Sequence, residues 1–209
     1  MATRTLAVIS QKGGTGKTTV AFNIAAGLSL RGVTQLVDAD PQGSLSQWSA
    51  VGFEKPASSR VIQIGDDVAL CIEGLAGVCD YVVVDCPPDA RNSRVRTLLH
   101  LAQLVLMPVL PSALDVWSSV DMLSVLDEVR EINRDLRGYV LLNQLEPRNA
   151  MSRVMRDALR ELRMPVLGAG IYRRAAFRTA AVEGVNVYQM GRRGEAAVRD
   201  VEAVIEEIL

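Results

Sequence analysis

Between a short apolar stretch and an apolar helical pattern lies Gln11-Lys12-Gly13-Gly14-Thr15-Gly16-Lys17-Thr18-Thr19, a run suited throughout to holding phosphate. Glycines let the chain curl so that successive N–H groups converge on anionic oxygens, and the start of the next helix adds its positive dipole. Gly13, Gly14, Thr15 and Gly16 would supply the backbone cradle. Lys17 would reach the β- and γ-phosphates of a nucleotide, and the Thr18 hydroxyl would complete the coordination of Mg²⁺. Thr19 would add a hydrogen bond to the α-phosphate. The run departs from the common G-x-x-x-x-G-K-[ST] form, because Gln11 stands at the first glycine position and Lys12 follows it. Two ammonium groups so close repel each other unless more negative charge is present than one of them needs. Only three of the 23 basic residues are lysines, and two of those three are in this loop.

Two further runs end in carboxylates. Tyr81-Val82-Val83-Val84-Asp85 is an apolar strand pattern closed by an aspartate, which beside a phosphate loop puts Asp85 where it can bind Mg²⁺ through a water. Leu36-Val37-Asp38-Ala39-Asp40-Pro41-Gln42 closes another, and Asp40 before Pro41 equally starts a turn. Asn143 ends a third apolar run.

These residues need a scaffold, and the chain alternates short apolar runs with helical patterns. That alternation predicts an α/β fold, a mostly parallel twisted sheet with helices on both faces. Strands are expected at Thr5 to Ser10, Thr34 to Asp38, Arg60 to Ile64, Tyr81 to Asp85, Leu104 to Pro108, Tyr139 to Asn143 and Val166 to Ile171. Helices are expected at Lys17 to Arg31, Asp67 to Gly77, Asn92 to Leu101, Ala113 to Asn133, Ser152 to Leu162 and Glu195 to Leu209. Trp48 and Trp117 read as helix-packing residues, and Met107, Met122 and Met155 as core. With no linker or repeat, residues 1–209 read as one domain. In such sheets ligands bind beyond the carboxyl ends of the strands, where all the residues above fall.

The pattern x-K-G-G-x-G-K-T, with Asp38-Ala39-Asp40-Pro41, the Asp85 strand and Pro108-Val109-Leu110-Pro111-Ser112, resembles the ParA/MinD family of deviant Walker A P-loop ATPases, most closely its compact ParA-like partitioning and positioning members. The resemblance covers nearly the whole chain. It implies ATP and Mg²⁺ as cofactors, an ATP-dependent homodimer, and a Lys12 that reaches the partner subunit's phosphates. It further implies that Asp38 orients the attacking water, that Asp40 responds to the γ-phosphate and Mg²⁺, that Asn143 contacts the base, and that Cys86-Pro87-Pro88-Asp89 is a second switch. Lys12, Lys17 and Asp38 are thus the expected catalytic set. Intrinsic turnover should be slow, with a ParB-like or adaptor protein stimulating it.

Net charge is −1, yet from Arg148 to Arg199 there are 11 arginines and four acids. Arg153, Arg156, Arg160 and Arg163 recur at helical spacing on one face. With Arg173, Arg174 and Arg178 they match the C-terminal basic residues through which the ParA resemblance implies non-specific DNA binding, and their number fits it, since phosphate backbones need positive charge more than side-chain precision. The expected setting is cytoplasmic and nucleoid-associated, with a plasmid, chromosome or protein body such as a carboxysome as cargo. A membrane-cycling MinD-like protein is the rival reading, disfavoured because Gly194 to Leu209 carries five acids and one arginine. A second rival, an iron-protein-like reductase, needs paired cysteines, and Cys71, Cys79 and Cys86 have no C-x-x-C spacing.

Overall fold

A computed structural model describes residues 2–51, 61–65, 67–89, 91–147, 150–161 and 165–209. Seven strands, β1 (Arg4–Val8), β2 (Thr34–Asp38), β3 (Val61–Gln63), β4 (Tyr81–Asp85), β5 (Leu104–Val109), β6 (Arg137–Leu145) and β7 (Val166–Tyr172), form one sheet in the order β3-β2-β4-β1-β5-β6-β7. Every adjacent pair is parallel. The expected α/β class is therefore what the chain adopts.

The absence of polar alternation in the strands has a direct cause. Leu6 and Val8 of β1 join one buried cluster, while Ala7 and Ile9 join the other on the opposite face. Helices α1 (Lys17–Leu28), α2 (Ser44–Val51), α7 (Ala175–Glu183) and α8 (Glu195–Ile208) cover the first face. Helices α3 (Val68–Leu75), α4 (Ser93–Leu101), α5 (Ala113–Arg130) and α6 (Ala150–Arg160) cover the second. Met107, Met122 and Met155 are buried, as expected.

Several expectations need correction. Helices α2 and α7 and a 3-10 helix, Val187–Arg193, were not anticipated. Each is short, and α2 buries only Leu45 and Trp48, too few apolar positions to display a period. Trp48 packs edge-on against Phe22, with ring centroids 4.9 Å apart. Trp117, however, is 69% exposed and does not pack inside. The first strand stops at Val8, which releases Ile9 and Ser10 into the loop that follows. Arg60, expected to open the third strand, lies outside the described residues. Among the described residues no helix is long and apolar enough to cross a membrane.

Helix α1 carries Lys17 at its first position, so whatever fixes α1 fixes the backbone of that lysine. Residues Val20 to Leu28 of α1 are buried, and α8 crosses the helix at Gly27. A Cβ there would lie 2.2 Å from Tyr188 Oη and 2.4 Å from Ile205 Cδ1. Gly27→Val should overpack this crossing and cost about 1–3 kcal/mol. Thermal unfolding of the nucleotide-free protein checks this as a drop of several degrees; an unchanged midpoint would mean that the crossing is soft.

Candidate nucleotide-binding site

The sheet register sets out the site. Val8 pairs with Asp85, and Asp85 pairs with Asp38, so three adjacent strands end level beside the loop leaving β1. That loop contains Gly14 at φ +82° and Gly16 at φ +90°, left-handed values that suit glycine. A Cβ on Gly13 or Gly14 would meet nothing within 4 Å, which leaves the concave side of the loop open. On Gly16 it would collide with Asn143 Nδ2 at 2.5 Å.

Lys17 is only 7% exposed, and its Nζ lies 3.2 Å from Ser10 Oγ and 3.5 Å from the Lys12 carbonyl, both neutral acceptors. Ser10 also donates to the Lys12 carbonyl (2.7 Å) and accepts from Thr15 Oγ1 (2.9 Å), so it ties together both ends of the loop. Sequence reasoning missed Ser10, because its spacing belongs to no motif.

Thr18 Oγ1 donates to Asp85 Oδ2 at 2.6 Å, while Asp85 Oδ1 is buried and has no hydrogen-bond partner among the described residues. A buried orphan oxygen beside a threonine hydroxyl fits a hard divalent cation, which takes oxygen ligands. Burial pushes the Asp85 carboxyl up to about 7, with the Thr18 hydrogen bond opposing and Asp38 reinforcing the shift. Asp38 is wholly buried; its Oδ2 accepts from the Ser46 N–H and hydroxyl, and its Oδ1 from the Asp40 N–H. Asp40 is half-buried and accepts from the Gln42 N–H at 2.9 Å, a turn-forming contact.

Lys12 points away from Lys17. Its Nζ donates to the Leu114 carbonyl at 2.9 Å and lies 3.8 Å from Asp115, with the side chain 42% exposed. Asn143 donates to the Thr15 carbonyl at 2.7 Å and receives the Gln144 N–H, which links the end of β6 to the loop.

Behind the loop opens a cavity of about 270 Å³ lined by Gly16, Thr19, Asn143, Tyr172, Arg174 and Phe177, among others. One wall is braced from α8. Asp200 receives Arg174 Nε and NH2 at 2.6 and 2.8 Å and the Tyr172 N–H at 3.1 Å. The Arg174 guanidinium also lies over the Tyr172 ring, 5.3 Å from its centroid. The Asp200 hydrogen bond raises the Arg174 pKa further above its ordinary value.

The arginines grouped by sequence fall on two faces of the sheet. Arg153, Arg156 and Arg160 ride on α6 against one cluster, whereas Arg178 is on α7 against the other. Arg156 donates to the carbonyls of Leu167 and Gly168, Arg160 pairs with Asp157 at 3.0 Å, and Arg173 pairs with Glu146 at 3.4 Å. Arg153 and Arg178 are exposed, without an ion pair among the described residues. Arg163 lies outside the described residues.

Residues 6–187 match the profile of the CobQ/CobB/MinD/ParA nucleotide binding domain. The chain belongs to that family. It is 41% identical over 208 residues to "Maintenance of carboxysome distribution protein A" of Halothiobacillus neapolitanus, covering 98% of this chain and 96% of that protein. The corresponding protein of Gloeobacter kilaueensis is 34% identical over 214 residues, covering 98% and 94%. Among solved structures, a Cyanothece McdA(D38A)-ATP complex superposes with a TM-score of 0.80 at 18% identity, covering 98% of this chain and 96% of that one. The ParA/MinD resemblance and the P-loop fold expected from sequence are therefore correct.

Asp85 offers a pH test in this family member. Below about pH 4 the group is protonated both folded and unfolded. Between that and about pH 7 the unfolded chain gives up a proton that the folded one keeps, so stability falls as pH rises, then levels. In chelator without nucleotide, Asp85→Asn should therefore melt above wild type at pH 8, by on the order of 4 kcal/mol at most. The margin should narrow toward pH 5; a variant less stable than wild type at pH 8 would contradict the burial argument.

Proposed function

We propose that this chain is an ATP-dependent positioning ATPase whose cargo is the carboxysome. The observation that carries this reading is the 41% identity to a carboxysome distribution protein along essentially the whole of both chains. The site geometry supports it. Lys17 and the loop N–H groups grip the β- and γ-phosphates of ATP, while Thr18 and Asp85 hold Mg²⁺, which neutralises phosphate charge and orients the triphosphate. Asp38 orients the attacking water, with Asp40 beside it at the γ-phosphate end. Asn143 and the cavity behind Gly16 receive the nucleoside.

In the proposed cycle, ATP draws two subunits face to face, and Lys12 leaves its own α5 to reach the partner subunit's phosphates. Its half-exposed position at the loop rim suits that exchange, because the contacts it gives up are one carbonyl and one carboxylate at the long separation of 3.8 Å. The ATP dimer binds nucleoid DNA without sequence preference, and an adaptor stimulates hydrolysis and release. Arg153 and Arg178 have the least compensated charge of the arginines assigned to DNA; Arg156, Arg160, Arg173 and Arg174 have internal partners and would contribute through the summed field. The membrane-cycling alternative needs a free amphipathic helix. In α8 the apolar face, including Val201, Val204, Ile205 and Ile208, is already covered by the body.

Lys12→Gln should weaken ATP-driven dimerisation by about tenfold or more, the loss expected for a charged hydrogen bond, while nucleotide affinity of the monomer changes little. Sedimentation with ATP, alongside titration with a fluorescent ATP analogue, separates the two; undiminished dimerisation would contradict a trans role. DNA retention by wild type should appear with ATP, be absent with ADP, and fall about a hundredfold or more between 50 and 200 mM salt. Equal retention in both nucleotide states would remove the switch.

A further inference from the structure

Asp38 is held unevenly. Its Oδ2 accepts two hydrogen bonds from Ser46, one from the N–H at 2.9 Å and one from the hydroxyl at 2.8 Å. Among the described residues its Oδ1 accepts one, longer, from the Asp40 N–H at 3.2 Å. A carboxylate oxygen has room for two such bonds, so Oδ2 is saturated while Oδ1 retains acceptor capacity. One end of the group is fixed, and the other, though buried, can accept one more hydrogen bond.

What fixes it is itself rigid. Ser46 lies in the first turn of α2, between Leu45, fully buried, and Trp48, 9% exposed. Trp48 packs on Phe22 and donates its indole N–H to the Val185 carbonyl at 3.2 Å. Phe22 belongs to α1, the helix that begins with Lys17. Ser46 and Lys17 are therefore mounted on two helices joined through one buried aromatic pair, which sets the Asp38 carboxylate at a defined angle to the phosphate loop.

We propose that Ser46 is a positioning residue for hydrolysis, gripping Asp38 Oδ2 so that Oδ1 is the oxygen that receives the attacking water. This rests on the reading of Asp38 as the water-orienting group and adds the residue that aims it. A merely structural serine would help hold the start of α2, and its loss would lower stability without changing the rate per folded molecule. A positioning serine behaves differently, because a misaligned carboxylate slows the chemical step while leaving the phosphate cradle intact.

The test compares wild type, Ser46→Ala, Ser46→Thr and Asp38→Ala by phosphate release at saturating ATP, KM, affinity for a fluorescent ATP analogue, and thermal midpoint. Ser46→Ala should lower kcat by about tenfold or more, as for loss of one hydrogen bond to a charged group, with KM and affinity within about twofold. Ser46→Thr, which keeps a hydroxyl, should restore most of the rate. Ser46→Cys, whose thiol is a weak donor, takes the place of the alanine variant if that fails to fold. Wild-type kcat in Ser46→Ala, a loss confined to nucleotide affinity, or no rescue by threonine would overturn the role of Ser46. Asp38→Ala tells the two levels apart. If it binds ATP but is inert while Ser46→Ala is fully active, only this inference fails; if it turns over normally, the reading of Asp38 itself is wrong.

Discussion

A lysine ammonium sealed almost entirely from water, with only neutral oxygens among the described residues in hydrogen-bond reach, is the constraint around which this molecule is arranged. Lys17 donates to Ser10 and the Lys12 carbonyl, and the carboxylates of Asp85 and Asp38 are buried on the neighbouring strand ends without touching it. Ions removed from water without close partners carry a desolvation cost that their distant attraction does not offset. A triphosphate and a divalent cation placed between them would supply the missing partners, including one for the orphan oxygen of Asp85. Binding would thereby stabilise the fold, in proportion to how far ligand exceeds its dissociation constant.

That arrangement is possible because β1 lies at the centre of the sheet. Its loop emerges with β4 and then β2 on one side and β5 on the other, and the level strand ends bring Asp85 and Asp38 alongside it. The helices then act as mounts. Helix α1 presents Lys17, α2 presents Ser46, and α8 sends Asp200 to brace the cavity wall at Tyr172 and Arg174. Lys12 differs from the rest in leaning outward onto α5, where it meets the Leu114 carbonyl and Asp115.

The same packing divides the positive charge. An arginine-rich stretch that is continuous along the chain is interrupted in space by the edge strand β7, with α6 on one face and α7 on the other. Several of its members are neutralised or tied to carbonyls. Any nucleic-acid surface built from it is therefore governed more by the few uncompensated groups and the overall field than by the number of arginines.

The phosphate loop, the carboxylate-ended strands and the α/β class were legible in the chain because each depends on neighbours a few residues away: a glycine's freedom, an apolar run, a helix start. Ser10, Ser46 and Asp200 were not, since a lone serine or aspartate has no period or motif, and what they hold comes from contacts closed only on folding. Trp48 and Trp117 make the point most simply. Trp48 lies in the short α2 and Trp117 in the long α5, yet the first is buried against Phe22 of α1 and the second faces solvent, which depends on the face of the helix that the fold covers. Local chemistry thus determined which ligand groups the loop can grip. Long-range packing decided which side chains brace that loop and the carboxylates beside it, since burial and angle arise from segments that are remote along the sequence and adjacent in the fold.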